Sequence, residues 1–196
     1  MSKEFWIFKT LKTIGLALIL GVSFTACGAG SIKWKEEVQL SDGKIIIVER
    51  ETIYERGGDE WASNRGGSKA NEERIQFADP NDSKKLIEWQ SVKKDRKNYP
   101  EIPIVFDTKS FQPNVFTALT TSTTCVVYSK YVYKNGAWVE EQLPEQFEQH
   151  PTNLLFASQE DLPTLLNLAE KNRRNNEVGH SKVFKQAGPN LKICSG

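Results

Sequence analysis

Three cysteines (Cys27, Cys125, Cys194) and two histidines (His150, His180) are the chain's whole stock of thiol and imidazole side chains. Neither histidine has an Asp, Cys or second His at ligand spacing. Both stand among turn residues, in His150-Pro151 and Gly179-His180, where solvent exposure is expected. The sequence therefore points to no metal site and no cofactor. It holds no G-x-S-x-G, no phosphate-binding P-loop, no G-x-G-x-x-G and no C-x-x-C. A cysteine nucleophile would have to be Cys125, whose strand-like neighbours Thr124 and Val126 supply no activating helix N-terminus. Glu140, Glu141, Glu145 and Glu148 are the carboxylates a hydrolase would draw on, because glycoside hydrolysis needs two carboxyls facing across a cleft. In the polar run EEQLPEQFEQH they read first as a solvated loop. Catalysis is the weaker expectation.

Charge is the next chemistry to place. Lys84, Lys85, Lys93, Lys94, Arg96 and Lys97 form one basic patch if the strands of 74–92 close as a hairpin. That patch suits anionic lipid; its plainer reading is a charged loop that keeps a sheet edge soluble. Trp61 interrupts the polar, glycine-rich stretch Glu55–Asn71, either as a plug or as an exposed contact for a partner. Lys+Arg is 26 against Asp+Glu at 25, a formal net charge of +1. A dedicated nucleic-acid binder would show a clear basic excess.

The amino-terminal segment gives the address. Lys3, Lys9 and Lys12 precede an apolar run from Ile14 to Phe24, and Thr25-Ala26 stands before Cys27. Basic, then apolar, then small is the order of a secretory signal. As a helix the run would reach about 17 Å, short of a hydrocarbon core of about 30 Å. Phe24-Thr25-Ala26-Cys27 resembles the lipobox of bacterial lipoproteins, with Phe24 standing where that pattern prefers Leu. The resemblance implies removal of residues 1–26, acylation of Cys27, and a short tether over 27–31. An ordinary signal peptide or an uncleaved anchor are the alternatives. Gly28, rather than the Asp associated with inner-membrane retention, implies an outer-membrane address with the domain facing the periplasm or the exterior. W-x-E-x-V-x-L-x-D-G over 34–43 is similar to an uncharacterised group of proteobacterial lipoproteins and implies no functional residue.

With Cys27 assigned to lipid, Cys125 and Cys194 are left in an oxidising compartment, where a disulfide is expected. It would close a loop of roughly 70 residues, worth roughly 4 kcal/mol in the chain-entropy view. A buried free thiol at Cys125 is the alternative.

The elements that must carry these residues are mostly strands. Ile32–Leu40 and Ile45–Val48 flank Ser41-Asp42-Gly43-Lys44, and Asp-Gly suits a two-residue type I′ turn. That turn sets Leu40 opposite Ile45, Val38 opposite Ile47 and, unfavourably, Glu36 opposite Glu49. Strand signals follow at 74–78, 86–92, 102–106, 115–120 and 124–133, with turns at Asp79–Asp82 and Lys134–Ala137. Leu162, Leu165, Leu166 and Ala169 share one helical face, with Asp161 as the expected N-cap and an end near 175–179. The expectation is one mainly β (α+β) domain over 32–196: an antiparallel meander of hairpins with one C-terminal amphipathic helix near 162–176. Its expected role is a membrane-anchored, non-enzymatic binding module, for an envelope protein or anionic lipid. A periplasmic hydrolase is the alternative.

Overall fold

The computed structural model describes residues 30–56, 67–122, 125–143, 148–178 and 185–187. It is mainly β, with antiparallel sheets and one C-terminal helix. In chain order the strands are β1 (Ser31–Gln39), β2 (Ile45–Arg56), β3 (Ser68–Asp79), β4 (Asp82–Gln90), β5 (Ile102–Asp107), β6 (Asn114–Ser122), β7 (Cys125–Lys134), β8 (Ala137–Glu141), β9 (His150–Pro151), β10 (Leu165–Leu166) and β11 (Gln186–Ala187). A 3₁₀ turn spans Lys109–Phe111, and helix α1 spans Leu168–Glu177. The first sheet has the order β10-β1-β2-β3-β4 and the second β5-β6-β7-β8, with β9 and β11 as a separate pair.

The two sheets enclose the main core. Val38, Val48, Ile75, Phe77, Ile87 and Trp89 meet Phe106, Val115 and Tyr131, with Leu154 among them. Phe77 lies 4.5 Å from Phe106 between ring centroids, and Trp89 5.7 Å from Tyr131. Ile104, Val105, Phe116, Ala118 and Val126 form a second cluster with Ala187 of β11. Trp34, Leu155 and Leu166 form a third at the β1–β10 flank.

The first hairpin forms, but one residue out of the expected register. Val38 pairs with Ile46 and Glu36 with Val48, so Glu36 does not meet Glu49 across the ladder. The loop is three residues long: Gly43 donates to the Leu40 carbonyl at 2.9 Å, Leu40 to that of Lys44 at 2.8 Å, and Gly43 sits at φ +86°. That is a type I turn closed by a glycine bulge. Asp107, 66 residues away, accepts from Ser41 N at 3.1 Å and Ser41 Oγ at 2.7 Å, which holds Ser41 in the loop. A slip of one residue exchanges the faces of a strand. Ile45 and Ile47 consequently face outward, and Arg50 faces inward. The Lys134–Ala137 turn has the expected geometry, with Asn135 at φ +52° and Gly136 at φ +84°.

The helix begins later than its apolar spacing predicted. Asp161 has φ +51°, outside the extended region an N-cap needs, and Leu165-Leu166 pair in parallel with Lys35-Glu36 as an edge strand. Asn167 is the N-cap, accepting from Glu170 N at 2.9 Å. The docking face is polar. Buried Lys171 donates to the carbonyls of Glu37 and Asn153, and Asn175 accepts from Phe156 N and donates to the Leu154 carbonyl. The irregular segment 153–157 brings backbone groups that need partners, and a Leu stripe could not supply them.

Candidate functional site

The strand directions give the domain two unlike ends. The near end holds the start of β1, where the Gly30 carbonyl accepts from Tyr54 N at 3.0 Å, and the end of β2 with the start of β3, where Arg56 pairs with Ser68. The far end holds the turns at 41–43, 80–81, 108–113 and 135–136. Asp79, Asn81, Phe111, Gln112, Pro113, Tyr133, Lys134 and Asn135 line a cleft of about 440 Å³ there.

Phe111 is the unusual residue of that cleft. It is 70% exposed and holds φ +61° at the close of the 3₁₀ turn, its N–H bonded to the Thr108 carbonyl at 3.1 Å. A bulky side chain seldom adopts the left-handed region, and strain of order 1 kcal/mol or more is retained where it sets up a contact. Ile45, Ile47 and Leu86, also more than half exposed, stand near the same turns. The Asn81 N–H donated to Asp79 holds that carboxyl below its ordinary range, aided by Lys85 at 3.5 Å. Aromatic surface beside amides and a fixed negative charge suits recognition of a polypeptide.

The predicted basic patch is divided. Strand β4 is nine residues long and places Lys84 and Lys85 at the far end, roughly 25 Å from the near end at about 3.3 Å per residue. Lys93 donates to Ser129 Oγ at 2.8 Å and pairs with Glu140, and Lys94 donates to Asn71 Oδ1. Arg96 and Lys97 are exposed and have no ion pair among the described residues.

Glu140 and Glu141 are successive residues of β8, so they point to opposite faces. Glu140 meets Lys93, and Glu141 meets Lys130 at 2.7 Å and Lys134 at 2.5 Å. Hydrogen bonds from Lys130 and Lys134 hold the Glu141 carboxyl below its usual range. These two do not face each other across a cleft; Glu148 is exposed, and Glu145 lies outside the described residues. His150 is half-buried rather than exposed, in β9, stacked 4.6 Å from Phe116. It lines a smaller cleft, about 270 Å³, with Ser41, Asp107, Asn153 and Lys171. Asn153 closes this seam by donating to the Gln39 and Phe106 carbonyls, one from each sheet. Cys125 opens β7 opposite Ser122. Cys27, Trp61, His180 and Cys194 lie outside the described residues.

Sequence reasoning missed Phe111. The signal was present: a lone aromatic in the polar turn segment DTKSFQPN is the same pattern that drew attention to Trp61. It also missed the inward charges Arg50, Glu73 and Lys171: the register of β1 and β2 turns Arg50 inward, and Glu73 and Lys171 lie outside that hairpin, on β3 and α1. Comparison with protein families, with characterised proteins and with solved structures gave no match to this chain.

Proposed function

We propose that this chain is an outer-membrane lipoprotein, anchored by an acylated Cys27, whose β domain is a non-enzymatic binding module for another envelope protein. The observation that carries the reading is the polarity of the domain. β1 starts four residues after Cys27, and the strained, exposed Phe111 stands at the opposite end. An anchor at one end and an apolar contact at the other fit a module that reaches away from its membrane. The carboxylates of 140–141 are engaged by lysines, which favours binding over hydrolysis. Cys125 and Cys194 belong to the same reading as a disulfide formed on export.

Two measurements test it. Mass spectrometry of the protein from membranes should find an acylated Cys27 as the first residue, and Cys27→Ser should leave a larger, unlipidated precursor. A first residue after Cys27, or an intact Met1–Ala26, overturns the anchor. A photocrosslinker at Phe111 in intact cells should give one discrete adduct with an envelope protein, absent when the crosslinker replaces Arg56 at the near end. Equal labelling from both ends removes the tip as the contact. Non-reducing peptide mapping should join Cys125 to Cys194; recovery of both as free thiols removes the disulfide.

A further inference from the structure

At the near end Lys69 is paired with Glu55 at 3.7 Å, and the turn 94–100 beside it carries Lys94, Arg96 and Lys97 against Asp95. Gly30 sits beside Tyr54, and Tyr54 pairs with Ala70, so Lys69 and Asn71 lie two strand spacings, about 10 Å, from the point where the chain joins the sheet. The turn 94–100 packs on them. Lys94 donates to Asn71 Oδ1, and Lys69 Nζ sits 5.0 Å from the Tyr99 ring centroid. Arg56, at the end of β2, is exposed and has no ion pair among the described residues. On the other flank a cleft of about 660 Å³ lined by Gly30, Ser31, Tyr54, Gln159 and Glu160 leads to Asp161.

The turn's own construction presents its positive charge outward. Lys94 and Pro100 form a bridge, Asp95 N donates to the Tyr99 carbonyl at 2.9 Å, and Asn98 holds φ +61°. Asp95 Oδ1 accepts from Lys97 N and Tyr99 N, both at 2.8 Å. Glu101 is turned inward and accepts from Val92 N and Lys93 N. Both carboxylates of the segment are thus occupied by its own amides, whereas Arg96 and Lys97 project with no partner among the described residues. In sequence, the stretch between β2 and β3 adds Asp59, Glu60 and Arg65, one net negative charge.

We propose that this turn, with Arg56, is a second and electrostatic membrane contact that seats the near end on anionic phospholipid headgroups and holds the Phe111 tip away from the bilayer. The inference rests on the anchored reading above. Three peptide units separate Cys27 from Gly30 and reach at most about 11 Å, so an acylated Cys27 keeps these cations near the headgroups. That reach is close to the Debye length of about 8 Å at physiological salt. On the other flank Arg173 and Arg174 are paired with Glu170 and Glu177, which leaves Glu160 and Asp161 without a cation excess beside them, so the domain leans on its β3–β4 side.

The test uses the full protein from membranes, incorporated into phosphatidylcholine vesicles with or without phosphatidylglycerol. Amine acylation, read by mass spectrometry, should slow several-fold at Lys94 and Lys97 on anionic vesicles, recover at high salt, and stay unchanged at Lys109 of the far end. Arg96→Gln with Lys97→Gln, both on the surface, should weaken partition onto anionic vesicles roughly twenty-five-fold, about fivefold per charge. Equal acylation rates on neutral and anionic vesicles overturn the contact. Failure of the anchor reads differently, as loss of association with neutral vesicles. An unlipidated chain is then mixed with anionic vesicles, and protection or its absence at Lys94 and Lys97 decides the contact by itself.

Discussion

Two buried polar centres of this domain satisfy their carboxylates by opposite means. In the first sheet, Glu36 and Glu73 are held by cations: Arg50 bonds Glu36 at 3.0 Å and Glu73 at 3.3 Å, and Lys171 reaches Glu36 at 3.4 Å. Thr52 Oγ1 and Leu155 N complete the shell at 2.9 Å each. In the second sheet, Glu101 is held by neutral donors: Thr117 Oγ1 at 2.7 Å, Tyr131 OH at 2.8 Å, and the amides of Val92 and Lys93. The first arrangement fixes where the helix and the 153–157 segment dock, since Lys171 and Leu155 N both reach Glu36. The second fixes where the 92–101 segment leaves the sheet. Each ties an irregular segment to a strand, but the ionic one desolvates four charges to do so. Two of its donors, Arg50 Nε and Trp34 Nε1, stay buried without a hydrogen-bond partner among the described residues, the guanidinium lying 5.1 Å over the Trp34 ring.

The largest expected effect separates the two centres directly. Arg50→Met removes the cation between two buried carboxylates and should cost about 3–5 kcal/mol, because an uncompensated buried charge remains. Glu101→Gln keeps the shape and leaves donors that can turn, and should cost about 1–3 kcal/mol. Denaturant unfolding of both variants checks the order. Equal losses would mean that the ionic centre is no more dependent on its charges than the neutral one.

The pH dependence should combine both signs in the ionic centre and carry a single sign in the neutral one. Burial pushes the Glu73 carboxyl above its ordinary 4.5, outweighing the lowering by Arg50 and Thr52. The unfolded chain then releases this proton first, so the Glu73 contribution to stability falls as pH rises from 4.5 toward the folded value. Burial lowers Lys171 from 10.5, so the folded state releases its proton first and stability gains as pH rises through the window below 10.5. In the second centre, burial and then Glu101 push the Tyr131 phenol well above 10. Stability should fall as pH climbs past 10, where the unfolded phenol ionises first. Burial likewise raises Tyr128, to about 12. Urea midpoints across pH should show the alkaline loss reduced but present in Tyr131→Phe; an unchanged slope would detach Tyr131 from it.

The contrast also marks what the sequence could reveal. Strands were legible because β-branched and aromatic residues cluster between turn signals, and Asn135-Gly136 forms the turn its residue types demand. The β1–β2 register was not, because its decisive bond comes from Asp107 in another sheet. That slip hid Arg50, which the shorter loop turns outward, whereas Glu36 stands in the apolar alternation of Trp34, Val38 and Leu40 in either register. Helix α1 was misplaced for a related reason: Leu165 and Leu166 fit a helical stripe equally well as an edge strand, and partnership with Lys35 and Glu36 decides. The basic run was read as one patch because sequence adjacency does not show that β4 carries Lys84 and Lys93 to opposite ends. Phe111 does carry a compositional signal, a lone aromatic in a polar turn, but its positive φ leaves no mark in the sequence.

The smallest expected effect asks whether pairing alone, without burial, makes a centre costly to disturb. Glu141, like Glu36, is paired with two cations, here Lys130 and Lys134, but its side chain is 32% exposed. Water can replace either lysine there, and salt screens the attraction. Glu141→Gln should therefore change stability by only about 0.5 kcal/mol or less. Its folded carboxyl lies below 4.5, so the contribution is present above that value and fades as pH falls through the folded one. Added salt should erase the difference between variant and wild type at neutral pH, and should leave the Arg50→Met deficit largely in place. A salt-insensitive loss of several kcal/mol at Glu141 would show that pairing, rather than desolvation, sets the cost in both places.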